Sequence, residues 1–183
     1  MSAPAASLSP YSSSNASTGV ETHTLSVLVD NEPGVLARVV GLFSARGYNI
    51  ESLTVAEVAH ESQRSRITIV TTGTPSAIEQ ISHQLERLVP VHKVNDLTLS
   101  ARPIERELAM VKVAGKGEHR VEALRLGDAF RARVIDATLE SFVFELTGAA
   151  RKIDDFVELM RPIGLVEVSR TGIAAISRGP DPI

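Results

Sequence analysis

Two successive runs with the order strand–helix–strand–strand–helix–strand constrain this 183-residue chain more than any single motif. In the first, Leu25, Val27 and Val29 alternate with other residues, which in a strand puts all three on one face. Val35, Leu36, Val39, Val40, Leu42 and Phe43 follow at helical spacing. The pattern predicts strands over 23–30, 48–58, 65–72 and 91–100, with helices over 34–46 and 75–88. Pro75 with Ser76 marks the start of the second helix, and Ile78, Ile81, Leu85 and Leu88 form its apolar stripe. The second run predicts strands over 107–114, 132–138, 141–147 and 164–177, and helices over 118–129 and 149–161. Gly148, Ile153, Phe156 and Met160 repeat the spacing of Gly73, Ile78, Ile81 and Leu85. Phe130-Arg131-Ala132-Arg133 reads as the counterpart of Phe43-Ser44-Ala45-Arg46 at a helix end.

That element order is the ferredoxin-like arrangement. The expected fold class is α+β, with two tandem ferredoxin-like βαββαβ domains. Each would be an antiparallel sheet with both helices on one face. The other face must be covered or solvated, and covering it predicts pairing between units or subunits. Arg102-Pro103 reads as a linker, which sets domains at 22–101 and 102–179. Residues 1–21 are rich in Ser, Ala and Pro, with Glu21 the only charge, and read as a disordered tail; 180–183 reads as a second short tail. The halves differ in two respects. The first has a longer hairpin around residues 57–66, and only the first opens its helix with Pro-Gly; the second begins Glu118-His119-Arg120-Val121.

Composition removes several functions. A net charge of −3 and a pI near 6.0 argue against a nucleic-acid or membrane-surface binder. With 4% aromatic residues and no Gly-Phe-Gly-Phe run, the sheet lacks the stacking platform of an RNA-binding ferredoxin-like domain. The chain has no cysteine, which excludes disulfides and thiol chemistry and fits a reducing cytoplasm. No apolar run approaches the roughly 20 residues of a membrane span, and the N-terminus lacks the basic start and apolar core of a signal peptide. His23, His60, His83, His92 and His119 are scattered and form no metal-type pair. No nucleophile elbow or phosphate loop is present, and Gly115-Lys116-Gly117 reads as a plain turn before a helix. Asp154-Asp155 and Glu105/Glu107 read as solvated acids, because neighbours on a helix diverge and alternate strand residues share an outer face. No catalytic set is expected in this chain, and no metal or cofactor of its own.

What remains is Asp30-Asn31-Glu32-Pro33-Gly34-Val35-Leu36, between the first strand and its helix. One reading is an ordinary turn with Asn31 as a local cap and Pro-Gly as punctuation. The other is an anion site, because a helix start leaves N–H groups unpaired and carries partial positive charge. Gly34 would let a ligand approach the backbone, and Pro33 suits a first helical turn. Asp30 and Glu32 would repel a multiply charged anion, which favours a zwitterion with its carboxylate on the Gly34–Leu36 N–H groups. A second polar group follows the first helix: Gly47 suits a left-handed C-cap, and Asn49 opens the next strand. In a side-by-side dimer, Asn49 of one chain would face Asn31 of the other across one ligand.

These residues resemble a known family. Leu25 through Val39 resembles the start of an ACT domain, and Gly41 through Val55 resembles the ACT domain of acetolactate (acetohydroxyacid) synthase small subunits. Ser65-Arg66-Ile67-Thr68-Ile69-Val70, Arg106-Glu107-Leu108 and Ser177-Arg178-Gly179 extend the likeness over about residues 22–179. The resemblance implies a regulatory chain without catalytic residues. Its partner would be a large catalytic subunit carrying thiamine diphosphate, magnesium and FAD, activated by this chain and made sensitive to valine, in branched-chain amino acid biosynthesis. It implies a homodimer with the effector between two ACT domains. On the matching positions, Asn31 and Asn49 are the polar effector contacts, Gly34, Val35 and Leu36 the backbone that receives the carboxylate, and Ile50 a neighbour of the pocket. Pro33 stands where some relatives have Ser, and residues 57–64 match no family pattern. Two other readings are a stand-alone tandem ACT-type amino-acid sensor and an acylphosphatase-like hydrolase, though for the latter Arg38 lies a turn into the helix.

Overall fold

The structure, a computed structural model, describes residues 19–59, 63–99 and 103–180. The expected tail at 1–18, the hairpin tip with His60, Arg102 of the linker and residues 181–183 lie outside the described residues. The first half runs β1 (Glu21–Asp30), α1 (Val35–Arg46), β2 (Ser52–Ala59), β3 (Arg64–Gly73), α2 (Pro75–Glu86) and β4 (Val91–Asp96). Its antiparallel sheet has the order β2-β3-β1-β4. The second half runs β5 (Ile104–Ala114), α3 (Glu118–Phe130), β6 (Arg133–Ala137), β7 (Ser141–Gly148), α4 (Ala150–Gly164), β8 (Leu165–Arg170) and β9 (Ala174–Ile176). Its order is β6-β7-β5-β8, with β9 also on β5. Both halves are therefore βαββαβ with the ferredoxin-like strand order.

The alternation of β1 places Leu25, Val27 and Val29 under the helices, where they meet Val39 and Phe43 of α1 and Ile78, Ile81 and Leu85 of α2. In the second core Val111 and Val113 of β5 meet Phe144, Ile153, Phe156 and Met160. The repeated spacing of Ile78, Ile81 and Leu85 in Ile153, Phe156 and Met160 thus reflects the same buried stripe. The expected match of helix ends is out of register. In α3 the closing bonds run from Arg131 and Ala132 N–H to Asp128 and Gly127, at 3.0 and 2.8 Å. Gly127, not Phe130, therefore occupies the place of Phe43. Phe130 instead packs on Phe156 at 5.3 Å between ring centroids.

Several boundaries differ from the sequence expectation for physical reasons. Glu21 pairs with Gly73, so β1 begins inside the segment read as tail. β2 begins at Ser52 rather than 48, because Gly47 and Tyr48 close α1 with bonds to Ser44 and Phe43 carbonyls at 3.3 and 3.0 Å. The Phe43 and Tyr48 rings meet edge to face, the apolar contact that accompanies this cap. β4 ends at Asp96, and Leu97 turns into the interior with its N–H on the Thr24 carbonyl at 2.9 Å. α4 passes Pro162 and ends at Gly164; the proline gives up one helical hydrogen bond, and the burial of Ile163 against the core favours the extra turn. The strand expected over 164–177 is two strands, broken at Thr171-Gly172-Ile173. Gly117 also starts α3 as Gly34 starts α1, so the second half keeps the glycine although it lacks the proline.

The helix-free face of the first sheet is covered from within the same chain. β5 is longer than expected, and its first three residues, Ile104–Arg106, pair with β9 as a ribbon. Thr24 of β1 donates its hydroxyl to Glu105 at 2.7 Å, and Ala175 of β9 is buried. The turn between β8 and β9 lies on β2: Ile173 N–H donates to Ser52 Oγ at 3.1 Å. A Cβ on Gly172 would stand 2.7 Å from Ser52 Oγ and 2.9 Å from Thr54 Oγ1, and its φ of +83° is unfavourable for other residues. By contrast the helix-free face of the second sheet carries exposed Met110 and the pairs Lys112–Glu167 at 2.6 Å and Arg133–Glu145 at 2.9 Å. The Lys112 ammonium holds the Glu167 carboxyl below its ordinary pKa, first by their hydrogen bond and then by charge.

Gly172→Ala should destabilise the chain by about 2–3 kcal/mol, through the close approach to β2 and the backbone conformation together. Gly41→Ala should instead stabilise it by about 0.5–1 kcal/mol, because Gly41 lies within α1 and nothing stands within 4 Å of its added Cβ. Urea denaturation of the two variants against the parent chain measures both signs.

Candidate functional site

The turn between β1 and α1 is fixed at both sides. Asp30 N–H donates to the Pro90 carbonyl at 2.9 Å and Asn31 N–H to the Gln63 carbonyl at 2.7 Å, so the two neighbouring strand ends hold it. Glu32 N–H turns back to Asp30 at 3.0 Å, and Val35 N–H reaches Glu32 at 3.3 Å. Gly34 is the N-cap of α1, with φ 88° and ψ −7°, and no side chain caps the helix. Asn31 is therefore not a local cap, and Pro33 precedes the helix instead of lying in its first turn. The carboxamide of Asn31 is exposed and bonds nothing among the described residues.

Of the three N–H groups expected to face a ligand, Val35 is already used by Glu32. Those of Gly34 and Leu36 have no acceptor among the described residues. Nothing stands within 4 Å of a Cβ built on Gly34, so the space above it is open. Val35 turns its side chain into the core, and Leu36 turns outward. The flanking acids are not free charges. Asp30 is hydrogen-bonded to His92, and Glu32 pairs with Arg38 at 2.8 Å. The repulsion expected against a multiply charged anion is reduced accordingly.

Asn49 lies in the connector between α1 and β2 and does not open the strand. Its Nδ2 donates to Glu51 Oε1 at 2.6 Å, and its carbonyl accepts from the buried Thr71 hydroxyl at 2.6 Å. Ile50 is half-buried against the first core. Within one chain Asn31 and Asn49 lie far apart. Asp30 is opposite Arg64 on β3, whereas Asn49 is held by Thr71, seven residues further along the same strand. At the rise of a strand that is about 24 Å. Helix α1, of 12 residues, spans a comparable ~18 Å between the two positions. A single chain does not bring the two asparagines to one ligand.

Sequence reasoning missed a second polar group. Glu107, expected to be solvated, is buried, and Arg170 of β8 grips its carboxylate through Nε at 2.9 Å and through Nη2. Nη1 of the same guanidinium reaches Asp154 of α4 at 2.6 Å. The hydrogen bond to Glu107 is the main reason that the Arg170 pKa is raised; burial opposes it. A buried carboxylate is tolerated because this bidentate partner satisfies it. Glu107, Asp154 and Arg170 line a hollow of about 540 Å³ with Glu51, Ser52 and Gly172. A signal for the break was present in Gly172, since an isolated glycine in a strand pattern marks a bulge or a close approach. Among the described residues no group of three or more His, Cys, Asp or Glu side chains could hold a metal, and no helix is long and apolar enough to cross a membrane.

Comparison with known proteins places the chain in one family. Residues 25–93 match the model of the AHAS small subunit-like ACT domain, and residues 106–179 match that of the small subunit of acetolactate synthase. A probable acetolactate synthase small subunit of Archaeoglobus fulgidus is 46% identical over 86% of this chain and 97% of its own. The acetolactate synthase isozyme 3 small subunit of Salmonella typhimurium is 45% identical over 85% of this chain and 94% of its own. The crystal structure of the acetolactate synthase small subunit from Thermotoga maritima superposes with a TM-score of 0.79 at 38% identity, over 88% of this chain and 99% of that one. With both halves matched in order and the relatives matched nearly end to end, the chain belongs to the acetolactate synthase small-subunit family.

Proposed function

We propose that this chain is the regulatory subunit of an acetolactate synthase: it activates a large catalytic subunit and confers feedback inhibition by valine. The observation that carries this reading is the match of both halves to small-subunit models, in order, with relatives covered almost completely. Being a small subunit implies a catalytic partner. The thiamine diphosphate, magnesium and FAD chemistry belongs to that partner, in branched-chain amino acid biosynthesis in the cytoplasm. This chain's own task is to bind the effector and transmit its presence.

The effector site takes Asn31, Gly34 and Leu36 from one chain and Asn49 and Ile50 from a second copy, with Val35 contributing only its position. Three features favour that assembly. Asn31 and Asn49 are separated by the length of α1, so a two-fold beside α1 would bring the start of one helix to the end of the other. Among the described residues β2 is an edge strand of its sheet. The exposed side of α1 carries the apolar Leu36 with the small residues Ala37 and Ala45, on which a second helix can rest. The effector carboxylate would accept from Gly34 and Leu36 N–H, where the helix start favours an anion.

Inhibition follows as linkage. If valine favours one arrangement of the pair, the active holoenzyme must weaken valine binding by the same factor. Valine and leucine differ by one methylene, worth about 1–3 kcal/mol, so selectivity among branched-chain amino acids should be graded. The deciding experiment is reconstitution with a catalytic subunit, assayed with and without valine: activation together with valine sensitivity is expected, and absence of both rejects the reading.

Valine at a hundred times its dissociation constant should raise the stability of the isolated small subunit by about 2.7 kcal/mol, read as a thermal shift. No shift with valine, leucine or isoleucine would discard the site. Gly34→Asp should place a carboxylate where the ligand's belongs and abolish valine inhibition while sparing activation. Gly34→Asn carries the same backbone strain without the charge and should retain much of the inhibition. Equal loss in both variants would mean that strain, not charge, disables the site.

A further inference from the structure

The ribbon of β5 and β9 does not cover the whole helix-free face of the first sheet. Beside β2 it leaves a groove of about 330 Å³. The walls are aliphatic: Ala56 and Val58 from β2, Ile104 from β5, and Ala174 to Ile176 from β9. Arg66 of β3, Arg106 of β5, Thr54 and Thr68 complete the lining. Among the described residues no Asp or Glu lines the groove.

Among the described residues neither Arg66 nor Arg106 has a carboxylate partner. Arg106 donates only to the Glu105 carbonyl, and the Glu105 carboxylate is turned onto Thr24. Arg66 Nε and Thr54 Oγ1 are both shut off from solvent with nothing to bond. Buried polar groups without a partner are rare in folded proteins and call for one. An anion in the groove would give the two arginines a partner.

We infer that this groove binds a small aliphatic monocarboxylate. The carboxylate sits on Arg66 and Arg106, and the aliphatic body lies on Ala56, Val58, Ile104 and the β9 wall. A carboxylate matches the guanidinium fork in geometry and charge. The volume is at the lower end of ligand pockets, which selects a molecule of a few carbons. Because no acid among the described residues lines the groove, none of them would hold an ammonium, and this separates the site from the amino-acid site proposed at the α1 turn. The groove is built wholly within one chain, so it does not depend on the reading of the effector site.

Titration of the full chain with 3-methylbutanoate, followed by ¹H–¹⁵N spectra that include the arginine Nε–H signals, tests the inference. A saturable shift of the Arg66 Nε–H and of the Ala56 and Ala175 amides is expected. Acetate, which lacks the aliphatic body, and 3-methylbutanamide, which lacks the charge, should each bind about tenfold more weakly or not at all. Arg66→Gln and, independently, Arg106→Gln should each weaken 3-methylbutanoate by about tenfold with the rest of the spectrum unchanged. Binding of the amide as tight as that of the acid would overturn the inference, as would an unchanged affinity in both variants. So would a groove closed by a second copy, seen as groove signals that move on dilution and ignore 3-methylbutanoate.

Discussion

β5 belongs to both halves of the molecule, and most of the architecture depends on that sharing. Its first three residues, with β9, lie across the open face of the first sheet; the remainder is a central strand of the second. A four-stranded sheet with helices on one side has one unprotected face. Here that face, with Ser26, Thr68 and Thr24 largely buried, is closed by a segment of the second half. The two βαββαβ units are thereby fastened, and the fastening lies on the strands that lead into the β1–α1 turn and the Asn49 connector.

The fastening runs close to the candidate site. Ser52 receives Ile173 N–H only three residues after Asn49, and Gly172 lies against Ser52 and Thr54. Glu107 and Arg170 anchor the same β8 end to the root of β5. A change at Asn49 would therefore bear directly on the β2 surface that the second half grips. The contiguity is a physical route for coupling, in elements that pack tightly enough to shift as bodies.

Much of the fold was legible in the sequence because its signals are local. The alternation of Leu25, Val27 and Val29 and the stripe of Ile78, Ile81 and Leu85 report which face of an element is buried. Gly47 as a helix end and Pro75 at a helix start are chain-local chemistry. The candidate site was legible in part. Gly34 and Leu36 do offer free N–H groups, but Val35 spends its own on Glu32, and Asn31 caps nothing. Those details turn on which carbonyl lies nearest, and residue type alone does not decide that.

The sequence by itself determined two βαββαβ units, their buried stripes, the absence of cysteine chemistry and the glycine turn at the start of α1. It did so because side-chain period and backbone preference act over a few residues. Only the tertiary structure decided that β8 and β9 part at Gly172, that Glu107 is buried under Arg170, and that Arg66 and Arg106 share one aliphatic groove. It also decided that Asn31 and Asn49 stand at opposite ends of α1. Each of these depends on which distant strand arrives at a surface, and such a meeting is fixed by the packing of whole elements, which no short window of residues contains.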